Sequence, residues 1–194
     1  MTTEVLEQAN EERLTRQRAT VEEFWSLPES VLPVEYINGE IVMAPTPTVS
    51  HQRILGRIFV KLYDFVEENA LGTVFPAPLD VVLPTGDVVQ PDVFFLNAKQ
   101  ARRLSAAKRV EEVPSFLVEV LSPGSVAHDM IRKRALYEKN GVREYWIVHP
   151  RDRTIAQLVL RKKHYVLDEL GESDVIKGVV LAGFEMKVGE LLGV

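Results

Sequence analysis

The sequence predicts an α/β fold in which a mixed β-sheet is flanked by helices. Three observations carry that prediction. FLVEV (116–120), a helical segment over about 127–140 and EYWIVHP (144–150) follow one another at the spacing of a strand–helix–strand crossover, whose two strands lie parallel. VEYINGEIVM (34–43) alternates around Asn38-Gly39, the strongest short signal for an antiparallel hairpin. Near the C-terminus, TIAQLVLR, HYVLDEL and KGVVLAGFEM read as an antiparallel extension.

The elements follow in order. Residues 1–18 are polar and read as a helical or frayed lead-in to one domain spanning 1–194. Thr20 followed by Glu23 forms a capping-box pattern opening a short helix, TVEEFWSLP, which Pro28 stops. After the hairpin, Ser50 can cap a long helix, in which Ile54, Leu55, Ile58, Phe59, Leu62, Phe65 and Val66 recur at helical period. LDVVLP and VVQPDVFFL read as strands joined by the turn Thr85-Gly86-Asp87. Residues 97–114 are polar and basic, a loop with some helix. Ser122-Pro123-Gly124-Ser125 breaks the next strand, and Gly141 ends the following helix as a left-handed cap.

Composition excludes several classes. The 194 residues are 46% hydrophobic, which suits a packed core. No apolar run is long enough to span a bilayer, and the charged N-terminus is no secretory signal, so a cytoplasmic protein away from membranes is expected. The absence of cysteine removes disulfides, thiolate metal sites and cysteine nucleophiles. Net charge is −5, which argues against a nucleic-acid partner, but the acid excess lies wholly in residues 1–40. Later basic clusters, at Lys99–Arg109, Arg132–Arg134 and Arg161–Lys163, are either solvated faces or phosphate contacts.

Two carboxylates interrupt this apolar pattern. Glu119 stands inside FLVEV, where a covered strand is apolar on both faces. A buried carboxylate needs a metal ion, a basic partner or an open strand end. Asp92 stands beside Val93, Phe94 and Phe95 in the same manner, with Pro91 marking a strand end, bulge or edge. Two acids held close repel unless a cation lies between them, and hard oxygen donors suit Mg²⁺ or Mn²⁺. Glu40 is a third acid, with a metal role and a solvent-facing role equally open. On the helix after Glu119, Lys133 falls on the arc of Leu136 and Tyr137, while Arg132 and Lys139 fall opposite. Lys133 therefore points toward the acids, or snorkels along apolar surface to water. His51, at a helix start, either ligates metal or phosphate or supports the helix end, and Asp80 reads as a strand-end residue before a ligand.

YINGEI, SHQRILGRI, VVQPDVFFL, FLVEVLSPGS and RKRALYEKNGVREYWIVHP, in that order, resemble the Uma2 family of restriction-endonuclease-like proteins in the PD-(D/E)XK superfamily. The likeness runs from about residue 20 to the C-terminus. It implies a restriction-endonuclease-like core, a Mg²⁺-dependent site and DNA as substrate. Asp92 matches the first acid of the motif and Glu119 the second. Leu121 stands where the superfamily's lysine is expected, so Lys133 becomes its counterpart, and His149 stands where many relatives carry an Asp. The expected mechanism has a metal held by Asp92, Glu119 and the Val120 carbonyl. Lys133 orients or helps deprotonate the water, Glu40 adds a ligand, and Tyr137 bonds phosphate or the lysine. Two alternatives stay open: a nuclease fold that binds nucleic acid without cleaving it, and a metal-dependent hydrolase of a small phosphorylated molecule. A homodimer built on the apolar strands and EYWIVHP would suit duplex cutting.

Overall fold

The computed structural model describes residues 15–28, 30, 32–43, 46–104, 108–122 and 127–193. Residues 1–14 of the expected lead-in, and most of the Ser122–Ser125 breaker, fall outside them.

Thr15–Arg18 forms a strand, β1, against expectation. TRQR has no apolar alternation, so nothing local marks it. Its extended state comes from pairing with the hairpin β2 (Val34–Ile37) and β3 (Glu40–Met43), with Arg18 opposite Glu40. Between β1 and β2 lies α1 (Val21–Trp25), whose Thr20–Glu23 capping box is formed in both directions. The hairpin turns at Asn38-Gly39, both with positive φ, 52° and 77°. These are the dihedral signs that a two-residue type I′ turn requires.

The long helix α2 (Val49–Glu68) is capped by Thr48, one turn before His51, rather than by Ser50. Beyond it lie β4 (Gly72–Pro76), β5 (Val81–Val82), β6 (Val88–Val89) and β7 (Val93–Asn97). VVQPDVFFL is thus two strands in two sheets. Pro91 carries no N–H for a ladder, and the chain changes sheets there. A short helix, α3 (Ala98–Ala101), precedes β8 (Phe116–Val120), α4 (Ala127–Lys139) and β9 (Glu144–His149). β8 and β9 are parallel, as the crossover predicts, with Glu119 opposite Ile147. The extension is β10 (Thr154–Arg161), β11 (His164–Gly171), β12 (Val175–Lys177), β13 (Glu185–Lys187) and α5 (Val188–Leu192). KGVVLAGFEM is therefore the loop of the small β12–β13 hairpin with its flanks, not one strand.

The strands form a six-stranded sheet, β11-β10-β9-β8-β7-β4, a five-stranded sheet, β1-β3-β2-β6-β5, and the pair β12-β13. The six-stranded sheet is covered on both faces. Ile54, Leu55, Ile58, Leu62 and Val66 of α2 pack with Val93, Phe95, Val118, Val120 and Val148. On the other face, Leu136 and Tyr137 of α4 pack with Phe94, Leu117, Tyr145 and Ile147, and Ile37 of the five-stranded sheet joins them. Alternation along β8 sends Val118 and Val120 to the α2 face and Leu117 and Glu119 to the α4 face. β9 lies between β8 and β10, and its residues 144–148 are buried core.

Candidate active site

The site gathers where the C-terminal end of β8 meets α4 and the start of α2. Glu119 Oε1 accepts two hydrogen bonds, from Lys133 Nζ at 3.0 Å and from Tyr137 Oη at 2.7 Å. Lys133 and Tyr137 are four residues apart on α4 and share a helix stripe, so both reach one carboxylate. Tyr137 thus bonds the acid directly and not the lysine. Lys133 Nζ also lies 3.0 Å from Glu35 Oε1. Asp92 Oδ2 accepts the backbone N–H of Val120 at 2.7 Å and lies 3.2 Å from His51 Nε2. Asp92 is therefore bonded to the residue that follows Glu119.

Glu35 is the acid that sequence reasoning missed. It is buried on β2 and accepts the Gln90 N–H at 2.8 Å, while Gln90 Nε2 donates to Asp80 Oδ1 at 2.7 Å. Asp80 is thereby a holder of Gln90 and not a member of the inner cluster. Glu40 lies on the same hairpin face but is taken by Arg132, whose Nη1 stands 2.9 Å from Glu40 Oε2. Arg132 also reaches the Ile37 carbonyl at 3.3 Å, so it packs against the hairpin, where the helical arc predicted a water-facing residue. A signal for Glu35 did exist. Two-residue periodicity puts it on the face of buried Ile37, and a charge at a buried phase is the feature that identified Glu119.

The electrostatics follow from two carboxylates sharing one ammonium, with Asp92 close by. Burial pushes the Glu119 pKa up to about 7, and the charges of Asp92 and Glu35 push the same way, against Lys133 and the Tyr137 hydrogen bond. Burial alone would lower the Lys133 pKa, but Glu119 and Glu35 outweigh it and hold the group protonated. In this arrangement Lys133 is thus held as a cation between Glu119 and Glu35. Burial, with Glu119 and Glu35, lifts Tyr137 well above its ordinary value, leaving it a neutral donor. For His51, burial pulls the pKa down, but the Asp92 hydrogen bond and charge, the charge of Glu119 and the Val120 backbone leave it raised. His51 Nδ1 is buried and, among the described residues, has no hydrogen-bond partner.

These donors suit a hard divalent cation in kind. They are the carboxylate oxygens of Asp92, Glu119 and Glu35 gathered near one lysine ammonium. Among the described residues, however, no three His, Asp or Glu groups already stand together as a ligand set. Lys133 holds the near oxygens of Glu119 and Glu35 instead.

A family profile described as "Uma2: Putative restriction endonuclease" matches residues 21–189. The chain belongs to the Uma2 family. Its members are thus described as nucleases of the restriction-endonuclease kind, and Asp92, Glu119 and Lys133 all lie within the matched span. No curated protein sequence matches the chain. Among solved structures, it is similar to a protein from Anabaena variabilis ATCC 29413 described as a putative nuclease belonging to DUF820. The TM-score is 0.80 at 19% identity, over 90% of this chain and 97% of the other. The shared fold is the restriction-endonuclease-like α/β core of this Uma2 protein. No helix among the described residues is long and apolar enough to cross a membrane.

Proposed function

We propose that this Uma2 protein is a metal-dependent endonuclease that hydrolyses phosphodiester bonds of DNA. One observation carries the reading. Asp92, Glu119 and Lys133, from β7's leading edge, β8 and α4, meet in one linked cluster although the lysine is absent from its usual strand position. Nothing in core packing requires three charged groups at the end of a covered sheet, where each costs desolvation.

Asp92 and Glu119 would hold Mg²⁺ or Mn²⁺, with Glu35 as the third acid in the place first given to Glu40 and the Val120 carbonyl as a further oxygen. When bound, the ion supplies a lowered water pKa and neutralisation of charge building on the phosphoryl oxygens. Water attacks phosphorus, one P–O ester bond breaks, and the leaving oxygen takes a proton. Lys133 stays an ammonium throughout, oriented by Glu119 and Glu35, and offers its positive charge to the non-bridging oxygens. Tyr137 fixes the Glu119 carboxylate through its hydroxyl. His51 holds Asp92 in place from the α2 side.

The test is cleavage of supercoiled plasmid with Mg²⁺ or Mn²⁺, against an EDTA control. Wild type should give nicked and linear products. Asp92→Asn, Glu119→Gln and Lys133→Ala should each lose at least about 100-fold in rate with circular dichroism unchanged. Full cleavage by Glu119→Gln would remove this site from the reaction. A second reading, nucleic-acid binding without cleavage, is favoured by one feature. Lys133 already stands between Glu119 and Glu35, doing the neutralising that a metal would do. DNA binding that survives Glu119→Gln, with no product from wild type in either metal, would select it.

A further inference from the structure

Beside the cluster lies a cleft of about 620 Å³ with a strongly basic wall. It is lined by Ser50, Arg53 and Arg57 of α2, by Pro150 and Arg153 at the β9–β10 turn, and by Gly193 after α5. Among the described residues, no acidic side chain lines it. Arg153 is paired, its Nη1 standing 3.0 Å from Glu172. Arg53 and Arg57 are exposed, and among the described residues neither has a carboxylate partner. Gly193, with φ 80°, leaves room for Arg57. A Cβ there would run into its guanidinium, so the side chain lies against backbone in a defined place.

The cleft adjoins the reacting groups on two sides. Ser50 precedes His51, which bonds Asp92. Pro150 follows β9, whose Val148 is the register partner of Val120. Arg53 and Arg57 are four residues apart on one stripe of α2, separated by about 6 Å of helix rise. That is of the order of the through-space separation of neighbouring phosphates on one nucleic-acid strand. The first turn of this 20-residue helix carries no acid and is capped by a neutral threonine, so its positive end is left uncompensated. The basic cluster at Arg161–Lys163, by contrast, sits at the β10–β11 turn, at the opposite end of the sheet from Glu119.

We propose that the Arg53–Arg57–Arg153 cleft is the anchoring site for backbone phosphates of the nucleic-acid strand, next to the phosphate that reacts. The proposal rests on the nucleic-acid reading above, but not on cleavage. Guanidinium groups give forked donors to phosphate oxygens, and backbone contacts of this kind set position without reading sequence.

The experiment measures affinity for a fluorescein-labelled 20-mer, single-stranded and duplex, in EDTA, across a salt series. Arg53→Gln/Arg57→Gln is compared with Arg161→Gln/Lys163→Gln, which removes the same charge at the far end of the sheet. The cleft variant should bind at least about 10-fold more weakly at 0.15 M salt and lower the salt slope by about 2 for duplex. The far-end variant should change little. Equal losses in both variants would mean diffuse attraction and overturn the proposal, as would an unchanged slope in the cleft variant. Inorganic phosphate is titrated in parallel. Loss of phosphate binding with oligonucleotide affinity intact would make this a small-anion site and also overturn it. Because Arg57 packs against Gly193, Arg53→Gln alone is included with a thermal melt. A folded single variant with half the slope change supports the assignment. A wild type that binds through these arginines yet never cuts would refute the nuclease reading and leave the cleft standing.

Discussion

Lys133 is the residue on which the electrostatics turn. Two carboxylates share its ammonium, and a third, Asp92, lies close enough to raise the Glu119 pKa. The metal-free site is therefore over-charged, and its proton binding is linked to stability. A carboxyl raised in the folded state binds a proton more tightly there than in the unfolded chain. Its contribution is fully present below the unfolded value of 4.5 and is lost as pH rises through about 7. Wild type in EDTA should thus lose stability relative to Glu119→Gln between about pH 5 and pH 8, by up to about 3 kcal/mol. Urea unfolding of both proteins across that range measures it. Parallel curves would mean that Glu119 is compensated by Lys133 alone. His51 shifts in the same direction for a different reason. Its raised pKa gives stability that is present below the usual histidine value and is lost as pH rises beyond the folded one, so Glu119→Gln is the better reference than buffer alone.

Among elements, β9 carries another buried carboxylate with a different solution. Glu144 is fully buried and, among the described residues, has no cation paired with it. Its Oε1 accepts from Trp146 Nε1 and Gln157 Nε2 at 2.8 and 2.7 Å, and its Oε2 accepts from the Val179 and Val180 N–H groups at 2.9 and 2.6 Å. Four donors replace water, and the loop between β12 and β13 is thereby tied to the sheet. Glu144→Ala strands those donors and should cost about 3–5 kcal/mol, whereas Glu144→Gln, which turns an amide toward two of them, should cost about 2 kcal/mol. Urea midpoints decide it, and a wild-type midpoint for the alanine variant would mean that the loop is held by packing alone. The buried acids also show what local reading can reach. Glu119 and Asp92 are legible because a charge breaks an apolar run, and Lys133 because helical phase gives its side. Glu35 escaped because its cation, Lys133, comes from a helix about 100 residues on. β1 escaped because TRQR becomes extended only through the edge of β3. VVQPDVFFL was read as one strand because alternation continues across Pro91 while hydrogen bonding does not.

At the level of the whole molecule, the cluster joins the two larger sheets. Glu35 belongs to the five-stranded sheet, Glu119 to the six-stranded one, and Lys133 comes from the helix between them. A cation held by acids of both sheets would act as a tie across the fold. Mn²⁺ at 100 times its dissociation constant should add about 2.7 kcal/mol. For a chain of this size that raises the melting temperature by about 5–10 °C. The rise should vanish in Glu119→Gln and shrink in Glu35→Gln, as differential scanning calorimetry would register. An equal rise in all three proteins would place the metal elsewhere.

The lysine on α4, rather than two residues after Glu119, has one more consequence. Its ammonium reaches the acid only once the crossover helix has docked, and the cluster also needs Glu35, far back in the chain, to arrive from the other sheet. On the proposed nuclease reading, a nascent or half-unfolded copy would carry the same side chains without an assembled site. The fold itself would serve as the safety catch.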